Sequence, residues 1–149
     1  MRIISHRGNL DGPNSNENTA HSIDLAILKD FDVEIDVWEV DGLLFIGHDE
    51  PILKIDYRWL RDRACYLWVH CKNLGAIEIM NMFNYNIPYF WHQNDDFTLT
   101  SNGYIWTYPG KSLCHKSIAV LPELPGTLPT DIYAICTDFP EKYKELYKL

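Results

Sequence analysis

The sequence predicts an α/β fold: a (β/α)8-type barrel trimmed of several outer helices, forming one domain over residues 1–149. Three observations lead there. Eight apolar, strand-like segments recur at 2–6, 32–40, 43–50, 65–72, 88–93, 104–110, 117–123 and 134–140. Helix-like segments separate several of the early ones, whereas the late spacers shrink to about ten residues, near the minimum for a crossover between parallel strands. A complete barrel of this kind takes ~250 residues and rarely fewer than ~200. A chain of 149 residues has room for the strands but not for every helix.

Each element has its own signal. Residues 2–6 form an apolar strand that runs straight into Ser5-His6-Arg7-Gly8, and NLDGPNSN at 9–16 is a loop rich in Asn, Gly and Pro. Over 17–31, Ala20, Ile23, Ile27 and Phe31 recur on one helical face, with Asn18 or Thr19 placed to cap it. DVEIDVWEV at 32–40 alternates, with Val33, Ile35 and Val37 facing one way and Glu34, Asp36 and Trp38 the other. Asp41-Gly42 is a hairpin-type turn, so 43–50 is a returning or neighbouring strand. CYLWVHCK at 65–72 precedes a second helix over 73–86, with Leu74, Ile77, Met80 and Phe83 on one face. Short apolar segments follow to the end, with no internal repeat and no linker.

Composition narrows the class. Hydrophobic residues make up 46% and charged residues 23%, the balance of a soluble globule. No apolar run approaches the length of a membrane span, and the first strand leaves no room for a signal peptide. The net charge of −8 disfavours nucleic acid and anionic membrane as partners. Cys65, Cys71, Cys114 and Cys136 form no C-x-x-C pair and read as reduced thiols, which places the chain in the cytoplasm. An anionic substrate would then need a local positive centre, either a basic pocket or a bound cation.

The polar residues at the strand ends supply such a centre. In a parallel barrel His6, Arg7, Glu34, Asp36, His48, Asp49, His70, Lys72, His92 or Gln93, Glu123 and Asp138 gather at one mouth. Positions i and i+2 of a strand share a face, so Glu34 and Asp36 hold two carboxylates side by side. Like charges so placed repel unless a cation or a shared proton relieves them, or unless the face is simply solvated. His6 and His48 are the groups that titrate nearest neutral pH, suited to giving and taking protons. Arg7 is placed to grip a phosphate with two donors, and Lys72 to act as a point charge. His21 and His115 read as surface residues. Trp38, Trp91 and Trp106 read as core or cleft wall.

His6-Arg7-Gly8, Glu17-Asn18-Thr19, Glu34-x-Asp36, Asp41-Gly42 and His48-Asp49 stand in an order and spacing that resembles the glycerophosphodiester phosphodiesterases. The match covers residues 5–50 and is weaker from 65 onward. The resemblance implies a TIM barrel, like that of the phosphatidylinositol-specific phospholipases C. It implies His6 and His48 as the acid–base pair, Arg7 as a phosphate contact and Glu34 with Asp36 as ligands of one divalent cation. A further ligand in that family comes from a later Glu-x-Lys strand. Here the stretch reads VHCK, with His70 in place of the glutamate and Lys72 two residues on. The resemblance implies Mg2+ or Ca2+, and the imidazole opens the site to Mn2+ or Zn2+.

The expected activity is therefore metal-dependent hydrolysis of a glycerophosphodiester or a related saccharide phosphodiester. His6 is expected as base and His48 as acid, with Glu34, Asp36 and His70 on the metal and Arg7, Lys72 and Trp106 on the substrate. Trp91, Trp106 and Tyr108 are expected to wall a shallow, open cleft. The alternative is a non-catalytic module that binds a phosphorylated ligand.

Overall fold

Ten strands and four short helices follow one another along the described residues: β1 (Arg2–His6), α1 (Ala20–Leu28), β2 (Asp32–Val40), β3 (Leu43–Ile46), β4 (Leu53–Ile55), α2 (Tyr57–Asp62), β5 (Leu67–Cys71), α3 (Leu74–Met82), β6 (Tyr89–Phe90), β7 (Phe97–Leu99), β8 (Ile105–Thr107), β9 (Ser117–Val120), β10 (Ala134–Thr137) and α4 (Pro140–Tyr147). The structure is a computed structural model and describes residues 1–83, 86–126 and 128–149. None of its described helices is long and apolar enough to cross a membrane.

Parallel pairing runs in the order β6-β5-β2-β1-β10-β9-β8. Strand β2 organises this sheet. Its start pairs with β1, its middle with β5, and its last four residues with β3. Strands β3 and β4 then add an antiparallel extension on one side, and β7 returns antiparallel on β8.

The result is a curled mixed sheet, a half-barrel, and not the trimmed (β/α)8 barrel expected from the sequence. The reasons are local. Asp41 and Gly42 both take positive φ, 51° and 78°, in a two-residue loop that joins paired strands. Such a turn matches strand twist and commits β3 to run back along β2. Segment 43–50 is thus a hairpin return, a strand only to Ile46. The spacers after residue 93 hold turns and the β7 hairpin instead of crossover helices. Among the described residues no ladder joins β6 to β8. Their ends meet instead through Phe90 stacked on Trp106, ring centroids 4.3 Å apart.

The two faces of the sheet have separate cores. Ile23 and Ala26 of α1, with Ala76 and Met80 of α3, pack on Val33, Ile35 and Val37, the face of β2 that alternation assigned to the core. The opposite face holds a second apolar floor of Ile4, Trp68, Phe90, Trp106, Ile118 and Cys136, with no helix upon it. All four cysteines are free thiols, Cys71 and Cys136 buried, Cys65 and Cys114 exposed.

Helix α1 starts at Ala20, three residues later than expected. Thr19 is the N-cap: its hydroxyl accepts from the Ser22 N–H at 3.2 Å, and Ser22 answers with a bond to the cap N–H. Glu17 and Asn18 are left outside the helix, free to serve the strand ends. Helix α3 ends at Met82, and positions 84 and 85 of the expected helix lie outside the described residues.

Gly8 shows how tightly the first loop sits. It has φ +80°, and a Cβ there would lie 2.8 Å from both the backbone carbon and the hydroxyl of Ser22. The lack of a side chain at Gly8 thus lets the loop lie directly against α1. Gly42 has nearly the same φ, +78°, with nothing within 4 Å. Gly42→Ala should therefore cost about 1–2 kcal/mol, the left-handed backbone penalty alone. Gly8→Ala should cost a further 1–3 kcal/mol, roughly the price of overpacking. Urea unfolding of the two variants measures the difference, and equal midpoints would mean that α1 does not press on the loop.

Candidate metal centre

Strand pairing assembles the site. Across one edge of β2, His6 lies opposite Glu34; across the other, His70 lies opposite Asp36. All four side chains leave the sheet on the helix-free face. Glu34 is 2% exposed and Asp36 is fully buried, so the pair is not a solvated edge.

The two carboxylates have unlike surroundings. Asp36 Oδ2 accepts from Asn18 Nδ2 at 2.8 Å, and the Asp36 N–H donates back to Asn18 Oδ1 at 3.1 Å. Arg7 Nε stands 3.1 Å from Oδ2, while His70 Nδ1 and Lys72 Nζ stand 3.0 and 3.3 Å from Oδ1. Glu34 has only distant company, with His70 Nδ1 at 3.8 Å from Oε1 and His6 Nε2 at 3.9 Å from Oε2. Two buried oxygens, Glu34 Oε2 and Asp36 Oδ1, accept no hydrogen bond.

Their acidities diverge accordingly. Burial alone would raise Asp36, but His70, Lys72 and Arg7 outweigh it and hold its carboxyl far below the usual aspartate range. Burial pushes Glu34 up, the Asp36 charge pushes it further, and the nearby cations do not offset them. Of the two carboxylates, Asp36 is the better compensated.

His70 carries a tautomer that bears on metal binding. Its Nε2 lies 2.9 Å from the carbonyl oxygen of His92. A carbonyl only accepts, so Nε2 holds the proton, and in the neutral ring Nδ1 presents a lone pair. That lone pair faces Asp36 Oδ1 at 3.0 Å, two acceptors that need a proton or a cation between them. A backbone carbonyl that fixes the far nitrogen is the usual support of a ligating imidazole. Donor atoms of Glu34, Asp36 and His70 all lie within 4.8 Å of one another. Two orphaned carboxylate oxygens and one aimed imidazole nitrogen fit a divalent cation. The two carboxylates suit Mg2+, Ca2+ or Mn2+, and the imidazole adds affinity for Mn2+ or Zn2+.

The remaining predicted residues divide. Arg7 is drawn to the carboxylates: beside Asp36, it donates from Nη1 to Glu17 Oε2 at 3.1 Å. Its backbone is left-handed, φ 54°, and so is that of Asn18, φ 52°; the Asn18 N–H donates to the Arg7 carbonyl at 3.0 Å. Strained backbone of this kind persists where surroundings fix it, often at functional sites. Lys72 also joins the cluster, through Asp36.

The histidines expected as an acid–base pair border different cavities, and each has an aspartate beside Nδ1. His6 Nδ1 lies 2.7 Å from Asp138 Oδ1, and His48 Nδ1 lies 2.7 Å from Asp49 Oδ1. The Asp138 carboxylate accepts the hydrogen bond of His6 Nδ1–H and leaves Nε2 of that ring to exchange with a ligand, whereas His48 is only ion-paired to the exposed Asp49. His48 follows Gly47, whose φ of 154° and a would-be Cβ only 2.2 Å from the Glu50 carbonyl oxygen leave no room for a side chain. Burial lowers the His6 pKa, but the Asp138 hydrogen bond and the Glu34 charge together raise it above the ordinary value. Burial and the Arg7 charge lower that of His48.

Two adjoining cavities open on the cluster. One, of about 170 Å³, has His6, Arg7, Glu34 and His70 at its polar end. The other, of about 360 Å³, is bordered by Trp38, His48, Lys72, Trp91 and Gln93. His70 and His92 border both. Trp106 lines the first with an edge only: it is 5% exposed and stacked on Phe90, so it is chiefly core. Trp91 and Tyr108, 39% and 49% exposed, are the open aromatic faces.

Asn9, which bridges Glu17 at 2.9 Å and Asp138 at 2.8 Å, carried no sequence signal beyond its place in a loop. Asp138 was placed at the strand mouth, but its partnership with His6 needed the β1–β10 pairing. Glu123 holds Asp138 in turn by accepting from its N–H at 2.9 Å. The chain matches no protein-family model, no curated protein and no solved structure.

Glu34 gives a signed prediction. A group whose pKa is raised on folding contributes stability below its unfolded value, near 4.5, and loses it as pH rises through the folded value. Without cation, Glu34→Gln should therefore be more stable than wild type at pH 8, with the gap closing toward pH 4.5. With cation at ~100 times Kd, wild type should gain about 2.7 kcal/mol and the variant far less. Thermal melts with Mg2+, Ca2+, Mn2+ and Zn2+ read both effects; an equal cation response in the two proteins would remove Glu34 from the site.

Proposed function

We propose that this chain is a metal-dependent phosphodiesterase of the glycerophosphodiester type. The observation that carries the reading is the buried, uncompensated carboxylate of Glu34 beside Asp36 and the Nδ1 lone pair of His70. Glu34, Asp36 and His70 would hold one divalent cation, which supplies Lewis-acid polarisation of a phosphoryl oxygen. The motif spacing over residues 5–50, the aspartate-oriented His6 and the half-exposed His48 beside Asp49 support the same reaction class. Free thiols are consistent with a reducing compartment such as the cytoplasm.

The chain's own residues divide the work. His48, the readier acceptor near neutrality, takes the proton of water or of a neighbouring substrate hydroxyl. The new P–O bond forms from that oxygen as the P–O bond to the leaving alcohol breaks. His6, the readier donor, gives its Nε2 proton to the leaving oxygen, so charge and protons balance. This order reverses the one expected from the sequence, where His6 was the base. Arg7 and Lys72 stand by the phosphoryl position and offset the charge that builds there. Asp138, Glu123 and Asn9 position His6.

Turnover against pH should be bell-shaped, rising as His48 loses its proton and falling as His6 loses its own. His6→Ala and His48→Ala should each cost ~10²-fold or more on an alkyl diester. On bis(4-nitrophenyl) phosphate, whose leaving group needs no acid, His6→Ala should lose much less while His48→Ala stays impaired. Hydrolysis of both esters by the purified protein with each cation is the assay. Binding of glycerol phosphate without turnover would instead make the protein a phosphoryl-binding module.

A further inference from the structure

The smaller cavity changes character along its length. One part of its lining is polar, with His6, Arg7, Glu34, His70 and His92, and the other is largely apolar, with Trp106, Tyr108, Pro109, Val120, Leu121 and Leu124. A second, largely apolar recess shares Tyr108, Pro109 and Val120 with it and is lined further by Leu113 and Pro122. By contrast, the larger cavity past His70 and His92 is bordered by His48, Asp49, Lys72 and Gln93. The cluster thus has one polar arm and one apolar arm, meeting at His70.

The apolar arm is held open at a conformational cost. Leu121 has φ +44°, a conformation that a bulky side chain rarely adopts. Its N–H donates to the Cys136 carbonyl at 2.7 Å, and its own carbonyl accepts from the Leu124 N–H at 3.0 Å. The strained turn ends β9 and sets Leu121 and Leu124 along the cavity. Leu124 is 70% exposed, an apolar side chain kept at the rim of a charged site.

We infer that the substrate is an amphiphilic phosphodiester, with an aliphatic ester arm in the Trp106–Leu124 lobe and a hydroxylated arm, glycerol or sugar, beside His48, Lys72 and Gln93. The inference rests on the phosphodiesterase reading and adds to it the chemical class and the orientation of the substrate. A sugar in the apolar lobe would set most of its hydroxyls against Val120, Leu121, Leu124 and Pro109, whose side chains offer no hydrogen bond, with the Tyr108 hydroxyl to serve only one or two of them, a costly desolvation. An alkyl arm loses nothing there and gains from leaving water.

The test uses (2,3-dihydroxypropyl)alkylphosphinates with methyl, butyl or hexyl arms. Both arms are joined to phosphorus through carbon, so the probes bind without being cleaved. Each fully buried methylene is worth roughly fourfold in affinity. In calorimetry with Mg2+ present, butyl should bind wild type at least ~10-fold more tightly than methyl on that scale. Leu124→Asp, an exposed position that folding tolerates, should bring that ratio below about threefold. The ratio within each protein is the readout, so a uniform loss of binding does not disturb it. Equal affinity for all three probes in wild type, with diester hydrolysis intact, overturns the inference and leaves the phosphodiesterase reading standing. No binding of any probe together with no diester hydrolysis overturns that reading, and this inference with it.

Discussion

Glu34 and Asp36 leave β2 on one face and enter the same buried space, 2% and 0% exposed. Taking a charge out of water costs several kcal/mol even after the protein relaxes. Asp36 recovers that cost through Asn18, Arg7, His70 and Lys72. Glu34 recovers little of it. Much of the structure near the strand ends exists to hold this unequal pair. The loop after β1 turns through a left-handed Arg7 to bring its guanidinium to Asp36. The chain before α1 turns through a left-handed Asn18 to clamp the same carboxylate. Gly8 lets that loop lie against the first turn of α1, which fixes where Asn18 stands.

The sheet supplies the other half of the constraint. Parallel pairing on both edges of β2 puts an imidazole across from each carboxylate. Beneath this polar layer Ile4, Trp68, Phe90, Trp106, Ile118 and Cys136 form a dry floor. A floor of this kind reduces the screening of the charges above, so a cation held by Glu34, Asp36 and His70 would act more strongly there than in open water. The apolar lobe beside Leu121 and Leu124 extends that floor outward. The proposed substrate lobe and the candidate cation site thus share Trp106 and the face of the sheet it belongs to.

Much of the site was legible in the sequence because it is local. Alternation along 32–40 identifies the inward carboxylates, and strand-end placement identifies His6, His70 and Lys72. What depends on pairing was not legible. The His6–Asp138 contact joins residues 132 apart, and the His70 tautomer depends on a carbonyl from the loop after β6. The barrel expectation failed where local turn chemistry overrode strand count: Asp41-Gly42 forces an antiparallel return, and the residues between β6 and β8 fold into a hairpin. Trp106 reads from the sequence as core or cleft wall, and the structure gives it both places: it is stacked on Phe90, 5% exposed, and lines the smaller cavity.

The central claim is that the fold keeps the charge of Glu34 uncompensated so that a cation can complete it. The most direct measurement is the carbon-13 shift of the Glu34 side-chain carboxyl followed against pH, with and without a diamagnetic cation such as Mg2+ or Zn2+. In the metal-free protein this carboxyl should titrate above the ordinary glutamate range. Saturating cation should drive it well below that range, while Asp36 stays ionised throughout. A Glu34 carboxyl that titrates near 4.5, the ordinary value, and does not move when the cation is added would contradict the account.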